Sequence, residues 1–420
     1  MVTKVNQTLL FQQIRTLDPV SGFDQITDVL IENNIIQEIS PNIEVNDNIK
    51  IVDGTGLILA PALVDLFCHS GEPGYEERET ITSLDASASS GGVSRVAILP
   101  NTLPVMDNPN TVAWIQNQTR HLTTKFYCWG GLTKNLQGDT IAELADLATA
   151  GVIGFTDNRP HSNLQLIRKA LEYAQPFNLP IALSPTNLQL KGKGVVRECR
   201  TSLRLGLLGN PDIAETVAIA SLLEIVGLTK TPVHLMNIST ARGVELIKRA
   251  KEEQLPVTAS VNWHHLLLNI ETIASYNPHL RFEPPLGTEI DRLGLLEGVK
   301  TGVIDAIALN HTPYTYEEKT VAFDDAPPGA ISLELALPLL WQNLVMTGEL
   351  STEILWKALS VNPLKCFCKE PIKLQVGQSA ELITFSPQQS WQVTPSQLKS
   401  LSYNTYWLDK EIKGKIIQSH

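Results

Sequence analysis

An α/β chain built on a (β/α)₈ barrel, with a small β domain contributed by both termini, is the fold this sequence predicts. Three observations carry it. Eight short apolar runs, at 63–69, 95–100, 126–131, 151–155, 180–183, 232–237, 257–261 and 305–309, alternate with segments of helical periodicity. The two ends of the chain read instead as strands and turns. Finally, 420 residues at 43% hydrophobic content suffice for one large core and a smaller one.

Taken in order, Thr8-Leu9-Leu10-Phe11 leads to Asp18-Pro19, and Asp28–Ile31 meets Ile35–Ile39 across Asn33-Asn34, which is hairpin grammar. Ala380–Phe385, Ser386-Pro387 and Gly414–Ile417 repeat that style at the other end. Because chain termini commonly lie close together, 1–60 and 375–420 are expected to form one composite β-sandwich domain, leaving 61–374 for the barrel. Helix starts are legible inside the barrel. Asn210-Pro211-Asp212 precedes a helix over 213–226, and Ser239-Thr240 caps one over 241–251. No internal repeat or low-complexity linker interrupts the pattern. A doubly wound open sheet is the runner-up, but no glycine-rich dinucleotide loop follows the first run.

The net charge of −11 and the lack of a Lys/Arg block argue against nucleic acid and membrane surfaces as partners. Met1–Leu10 has no signal-peptide core and no run reaches transmembrane length, so a cytoplasmic protein is expected. Five scattered cysteines (Cys68, Cys128, Cys199, Cys366, Cys368) suit reduced thiols, and one Cys-x-Cys pair makes a weak metal signal.

In such a barrel the reactive groups stand where strands end. The first run ends Asp65-Leu-Phe-Cys-His69, where a metal grip would need His-x-His, yet position 67 is Phe. The other strand ends offer Asn101, Asp157-Asn158, Ser184, Asn237 and Asn310-His311. Zinc takes imidazole, carboxylate or thiolate, and neutral Asn and Ser supply no charge to hold it. A metal-free polar pocket is the expectation, with His69, Asp157 and His311 the trio that could meet if a metal bound. His234 and His264-His265, in or beside apolar runs, read as hydrogen-bonded structural histidines, and His121, His161, His279 and His420 carry no signal. There is no Gly-x-Ser-x-Gly elbow and no phosphate-cradling glycine loop; Lys191–Gly194 reads as a solvated loop. Glu76-Glu77-Arg78-Glu79 reads as an exposed first helical turn.

At this point the chain resembles the dihydroorotases of the amidohydrolase superfamily, and it does so over nearly its whole length. Ala60–Leu66 with Glu72–Glu76 and Glu79-Thr80-Ile81 is similar to the family's opening motif, and Leu99–Thr102 with Pro104-Val105 to its second. Gly154–Asp157, His234 through Thr240, His264–Leu266, Pro284–Leu286, Asp305–Ile307, Glu317–Lys319, Ala326-Pro327 and Leu333-Glu334 follow in order. The resemblance implies a barrel of the TIM type flanked by a β-sandwich.

It also marks departures. The first metal histidine of the family corresponds to Phe67, while the second survives as His69. The arginine that holds the substrate carboxylate is Gly71. The carboxylate that bridges the metals corresponds to Asn158, with Asp157 beside it as the other alignment. Two further metal histidines fall on Ser184 and Asn237, and the aspartate serving as ligand and general acid/base falls on Asn310, ahead of His311. A substrate-side asparagine becomes Glu283, an arginine Gly287, and a late active-site histidine Tyr314; Asn101 is retained. A carboxamide is no base near neutral pH, and a site without ligands has no Lewis acid to activate water. The expectation is a catalytically silent dihydroorotase-like protein of pyrimidine synthesis, homo-oligomeric and without cofactor, with aspartate carbamoyltransferase the partner that family analogy implies. The alternatives are an active cyclic-amide hydrolase with zinc on His69, Asp157 and His311, and a non-catalytic ligand sensor.

Overall fold

The structure, a computed structural model, describes residues 8–44 and 49–419; Met1–Gln7 and His420 lie outside the described residues. Eight parallel strands follow one another around a sheet in chain order: β1 (Leu63–Cys68), β2 (Val93–Ile98), β3 (Lys125–Gly130), β4 (Gly154–Phe155), β5 (Ile181–Leu183), β6 (Val233–Leu235), β7 (Val257–Asn262) and β8 (Ala306–Ala308). Each lies on one of the eight apolar runs. The sheet closes nearly into a barrel. Between β8 and β1, Asn310 N donates to Asp65 Oδ1 at 3.1 Å and His69 N to the His311 carbonyl at 2.9 Å.

Strands covered on both faces read as unbroken apolar runs, and β1 is buried at every position. Val64, Phe67, Ala97, Trp129, Ala182, Met236, Ala306 and Ala308 form one cluster in the lumen, closed by Leu364 and Phe367. Helices surround the sheet. Those over Ile213–Thr229 and Ala241–Glu252 are the two with legible starts, and Thr240 accepts from Gly243 N as the second helix's N-cap. Among the described residues no helix is long and apolar enough to cross a membrane.

The terminal segments form a separate seven-stranded sheet, in the order Glu411–Ser419, Leu382–Gln392, Ile58–Pro61, Thr8–Asp18, Phe23–Glu32, Ile35–Ser40, with Lys50–Asp53 paired to Thr8–Asp18. Asn33 and Asn34 turn the second hairpin at φ +52° and +63°, left-handed values that Asn tolerates. The sheet extends to Pro61, which pairs with Leu382. Residues 394–408 leave it and return to the barrel, where Trp407 stacks on Trp263 with ring centroids 5.0 Å apart. In this returning strap Asn404 Oδ1 accepts from Tyr314 N at 3.1 Å.

Candidate functional site

Past the carboxyl ends of the strands lies a cavity of about 190 Å³ lined by His69, Asn158, Ser184, Asn237, Glu283, Asn310 and Tyr314, among others. Beside it a smaller one, of about 40 Å³, is lined by His69, Gly71, Asn101, Arg78 and Tyr314. Asn158, Asn237 and Asn310 each follow a barrel strand at φ +50°, +51° and +56°. Asn adopts this left-handed turn more readily than most residues, so three carboxamides sit where the chain leaves the sheet.

His69 stands between two of these amides. Asn101 Nδ2 lies 2.8 Å from its Nδ1 and Asn158 Nδ2 3.4 Å from its Nε2. Burial, helped by the charges of His311 and Arg78, lowers its pKa to about 4, so the ring is neutral. A neutral imidazole has one acceptor nitrogen, so only one of the two amide nitrogens can donate to it, and the shorter contact is that of Asn101.

Phe67 is fully buried, stacked on Trp129 at 5.6 Å and tilted against His234 at 5.5 Å. An aromatic ring fills the place that a first metal histidine would need. Behind it, buried Asp65 accepts from Phe67 N (3.2 Å) and Asn310 N (3.1 Å), and burial raises its pKa to about 6.

The trio His69, Asp157 and His311 is not brought together. Asp157 turns away from the mouth and accepts from Leu132 N (2.8 Å), Thr133 N (2.9 Å) and Thr133 Oγ1 (2.5 Å). Asn158, not Asp157, therefore lines the cavity. His311 is fully buried, with Nδ1 accepting from Ser332 N (3.1 Å) and Nε2 3.3 Å from Glu79 Oε2. Among the described residues no group of three or more His, Cys, Asp or Glu could hold a metal ion. The donor chemistry points the same way. The Ser184 hydroxyl meets the Met236 sulfur at 3.8 Å, and Asn237 and Asn310 are neutral. The residues present do not fit a zinc centre.

The two glycines at arginine positions are closed rather than merely small. A Cβ on Gly71 would stand 2.5 Å from the Tyr75 carbonyl oxygen, and one on Gly287 2.6 Å from Asp291 Cβ. Glu283 pairs with Lys191 at 2.6 Å, and Tyr314 lies between the Arg78 guanidinium (5.0 Å) and the Lys319 ammonium (5.2 Å). His234 is held by Thr258 and Ser260, both at 2.9 Å, and His264 by Asn262 at 2.8 Å; His265 meets the Pro284 carbonyl at 3.1 Å.

Two expectations are corrected. Residues 76–79 are not a first helical turn; the helix Ile81–Ser90 begins after Thr80, its N-cap. Glu79 is fully buried, accepting from Leu401 N at 3.1 Å and from the Ser83 and Ser400 hydroxyls. Lys191–Gly194 is not wholly a solvated loop, since Lys191 ends a short helix and reaches the cavity rim through Glu283, while Gly194 is buried against Gly209. Sequence reading also missed Arg78, bound bidentately by Glu318 at 2.5 and 3.0 Å beside the smaller cavity. Its place in an acidic tetrad concealed it.

Residues 56–241 match the family model described as "Dihydro-orotase-like". The chain is 42% identical to a "Probable dihydroorotase-like protein" of Synechocystis sp., over 96% of this chain and 98% of that relative. It is 36% identical to a "Dihydroorotase" of Syntrophotalea carbinolica, over 97% and 96% respectively. Among solved structures, the L-hydantoinase (dihydropyrimidinase) of Arthrobacter aurescens superposes with a TM-score of 0.86, covering 99% of this chain and 95% of that one. At 20% identity that likeness shows the fold, a TIM barrel. The chain belongs to the dihydroorotase-like family.

Proposed function

We propose that this dihydroorotase-like chain does not catalyse the dihydroorotase reaction and serves de novo pyrimidine synthesis as a structural or regulatory protein. Phe67 carries the reading: its ring is locked between Trp129 and His234 in the lumen, where the family resemblance asks for an imidazole on a metal. The general acid/base position holds Asn310, which has no basic group near neutral pH. A cytoplasmic homo-oligomer and assembly with aspartate carbamoyltransferase complete the proposal, resting on the family resemblance.

The test is elemental analysis of protein purified without added metal, with turnover assays on dihydroorotate and carbamoyl-aspartate. Expected are no stoichiometric zinc and no turnover, and the reverse would overturn the reading. Failure of the transferase to co-purify would remove the partner. The second reading, an active cyclic-amide hydrolase, is favoured by 36% identity to a relative named dihydroorotase. With zinc on His69, Asp157 and His311, it requires Asp157 to abandon Leu132 and Thr133, and His311 to leave Glu79 and Ser332.

A further inference from the structure

At the amino ends of the barrel strands, opposite the mouth, a cavity of about 410 Å³ lies between the barrel and the terminal sheet. The barrel contributes Ser94, near the start of β2, and Thr123–Lys125, where β3 begins; the terminal segments contribute Ser379, Glu381 and Ser419. A second cavity of about 320 Å³, lined by Arg120 and Tyr127, shares Thr124 and Lys125 with the first. Junctions between domains are common seats for small molecules, and both volumes are of that size.

The charge left over at this junction is positive. Glu381 is the only carboxylate among the described residues lining either cavity. It accepts from Arg95 Nε and Nη2 at 2.6 and 2.9 Å, from Ser94 Oγ at 2.6 Å and from Lys125 Nζ at 2.9 Å. The bidentate guanidinium alone matches its charge. An ammonium has three N–H donors, and Glu381 takes one from Lys125, whose side chain is 59% exposed. Arg120 adds a further cation on the wall of the second cavity. Asp85 lines neither cavity and is occupied by Thr124 N at 2.8 Å.

Thr124 indicates what the junction lacks. The residue is only 3% exposed, it lines both cavities, and its buried hydroxyl has no hydrogen-bond partner. A buried hydroxyl left unpaired favours any group that offers it an oxygen. A phosphate carries several strong acceptor oxygens and the negative charge that the spare Lys125 donors call for. The hydroxyls of Thr123 and Ser379 suit a hydroxylated body attached to it.

We propose that this junction binds a small hydroxylated phosphate monoester, with its phosphate on Lys125 and Thr124. The site stands apart from the mouth and does not depend on whether the mouth catalyses. Its occupant bridges the barrel and the terminal sheet.

Titration calorimetry on the full chain tests it with ribose 5-phosphate, ribose and inorganic phosphate. Ribose 5-phosphate should bind saturably, one per chain, and at least about tenfold more tightly than either of the others. Lys125→Met should weaken that binding about tenfold or more, with Arg95 still holding Glu381 and thermal unfolding as the control for folding. Thr124→Val should weaken it severalfold without lowering the melting temperature, because the hydroxyl removed has no partner to lose. No saturable binding of ribose 5-phosphate, equal binding of ribose or of inorganic phosphate, or an affinity unmoved by Lys125→Met would each overturn the proposal.

Discussion

Glu79 and His311 face each other at 3.3 Å with both side chains fully out of solvent, and the C-terminal strap closes on them through Ser400 Oγ and Leu401 N. A histidine that follows the family's catalytic position thus serves here as a rivet between the barrel and its returning terminus. Glu79→Ala would leave His311 Nε2, Ser400 and Leu401 N without an acceptor. Each buried donor left without an acceptor costs about 1–3 kcal/mol. Denaturant unfolding should show a loss of that order, and the 394–408 segment should become susceptible to protease; an unchanged midpoint would remove the rivet role.

The carboxylate of Asp157 is committed to the turn after β3. Asp157→Ala strips partners from Leu132 N, Thr133 N and Thr133 Oγ1, at a cost of about 1–3 kcal/mol for each donor left buried. Zinc content and turnover should not change at temperatures where the variant stays folded. A loss of metal content or of turnover, rather than of stability, would restore Asp157 to the chemistry.

Restoring one ligand should not restore a site. Phe67→His removes a ring packed on Trp129 and His234 and buries an imidazole among apolar side chains. A loss of about 3 kcal/mol is expected from the vacated volume and the unpaired polar atoms, with no zinc retained after gel filtration. Stoichiometric zinc in Phe67→His would mean that the remaining donors are closer to a metal geometry than their hydrogen bonds allow.

The eight strands were legible because buried parallel strands leave continuous apolar runs, and those runs need no long-range information. The polar residues lining the mouth were legible for a similar reason, since strand-end residue types announce themselves. What could not be read was direction. Asp157 and Asn158 are adjacent, and only the turn after the two-residue strand β4 decides that the amide faces His69 while the acid faces Thr133. Glu79 was misread because Glu-Glu-Arg-Glu looks solvated, whereas its hydroxyl partner Ser400 lies 321 residues away. Such pairings are set by the fold and leave no local signal.

Stability should fall as the medium is acidified from about pH 6.5 toward pH 4. His69 and His265 are pushed down to about 4, His234 to about 3, and His264 well below its usual value, in each case chiefly by burial. A depressed folded-state histidine means that the unfolded chain binds more protons in this window, so stability present above about 6.5 is lost as pH falls. Asp65 acts in the opposite sense. Its pKa is raised to about 6, so protonation between about 6 and 3.8 favours the folded state. Burial also pushes His279 down to about 4 and lowers His161, while it raises Glu215, Asp305 and Glu334 alongside Asp65, so six depressed histidines stand against four raised carboxyls. Urea midpoints taken through the window should therefore decline, and Asp65→Asn should steepen the decline by removing one of the compensating groups. A flat profile would mean that these imidazoles reach solvent more readily than their packing implies.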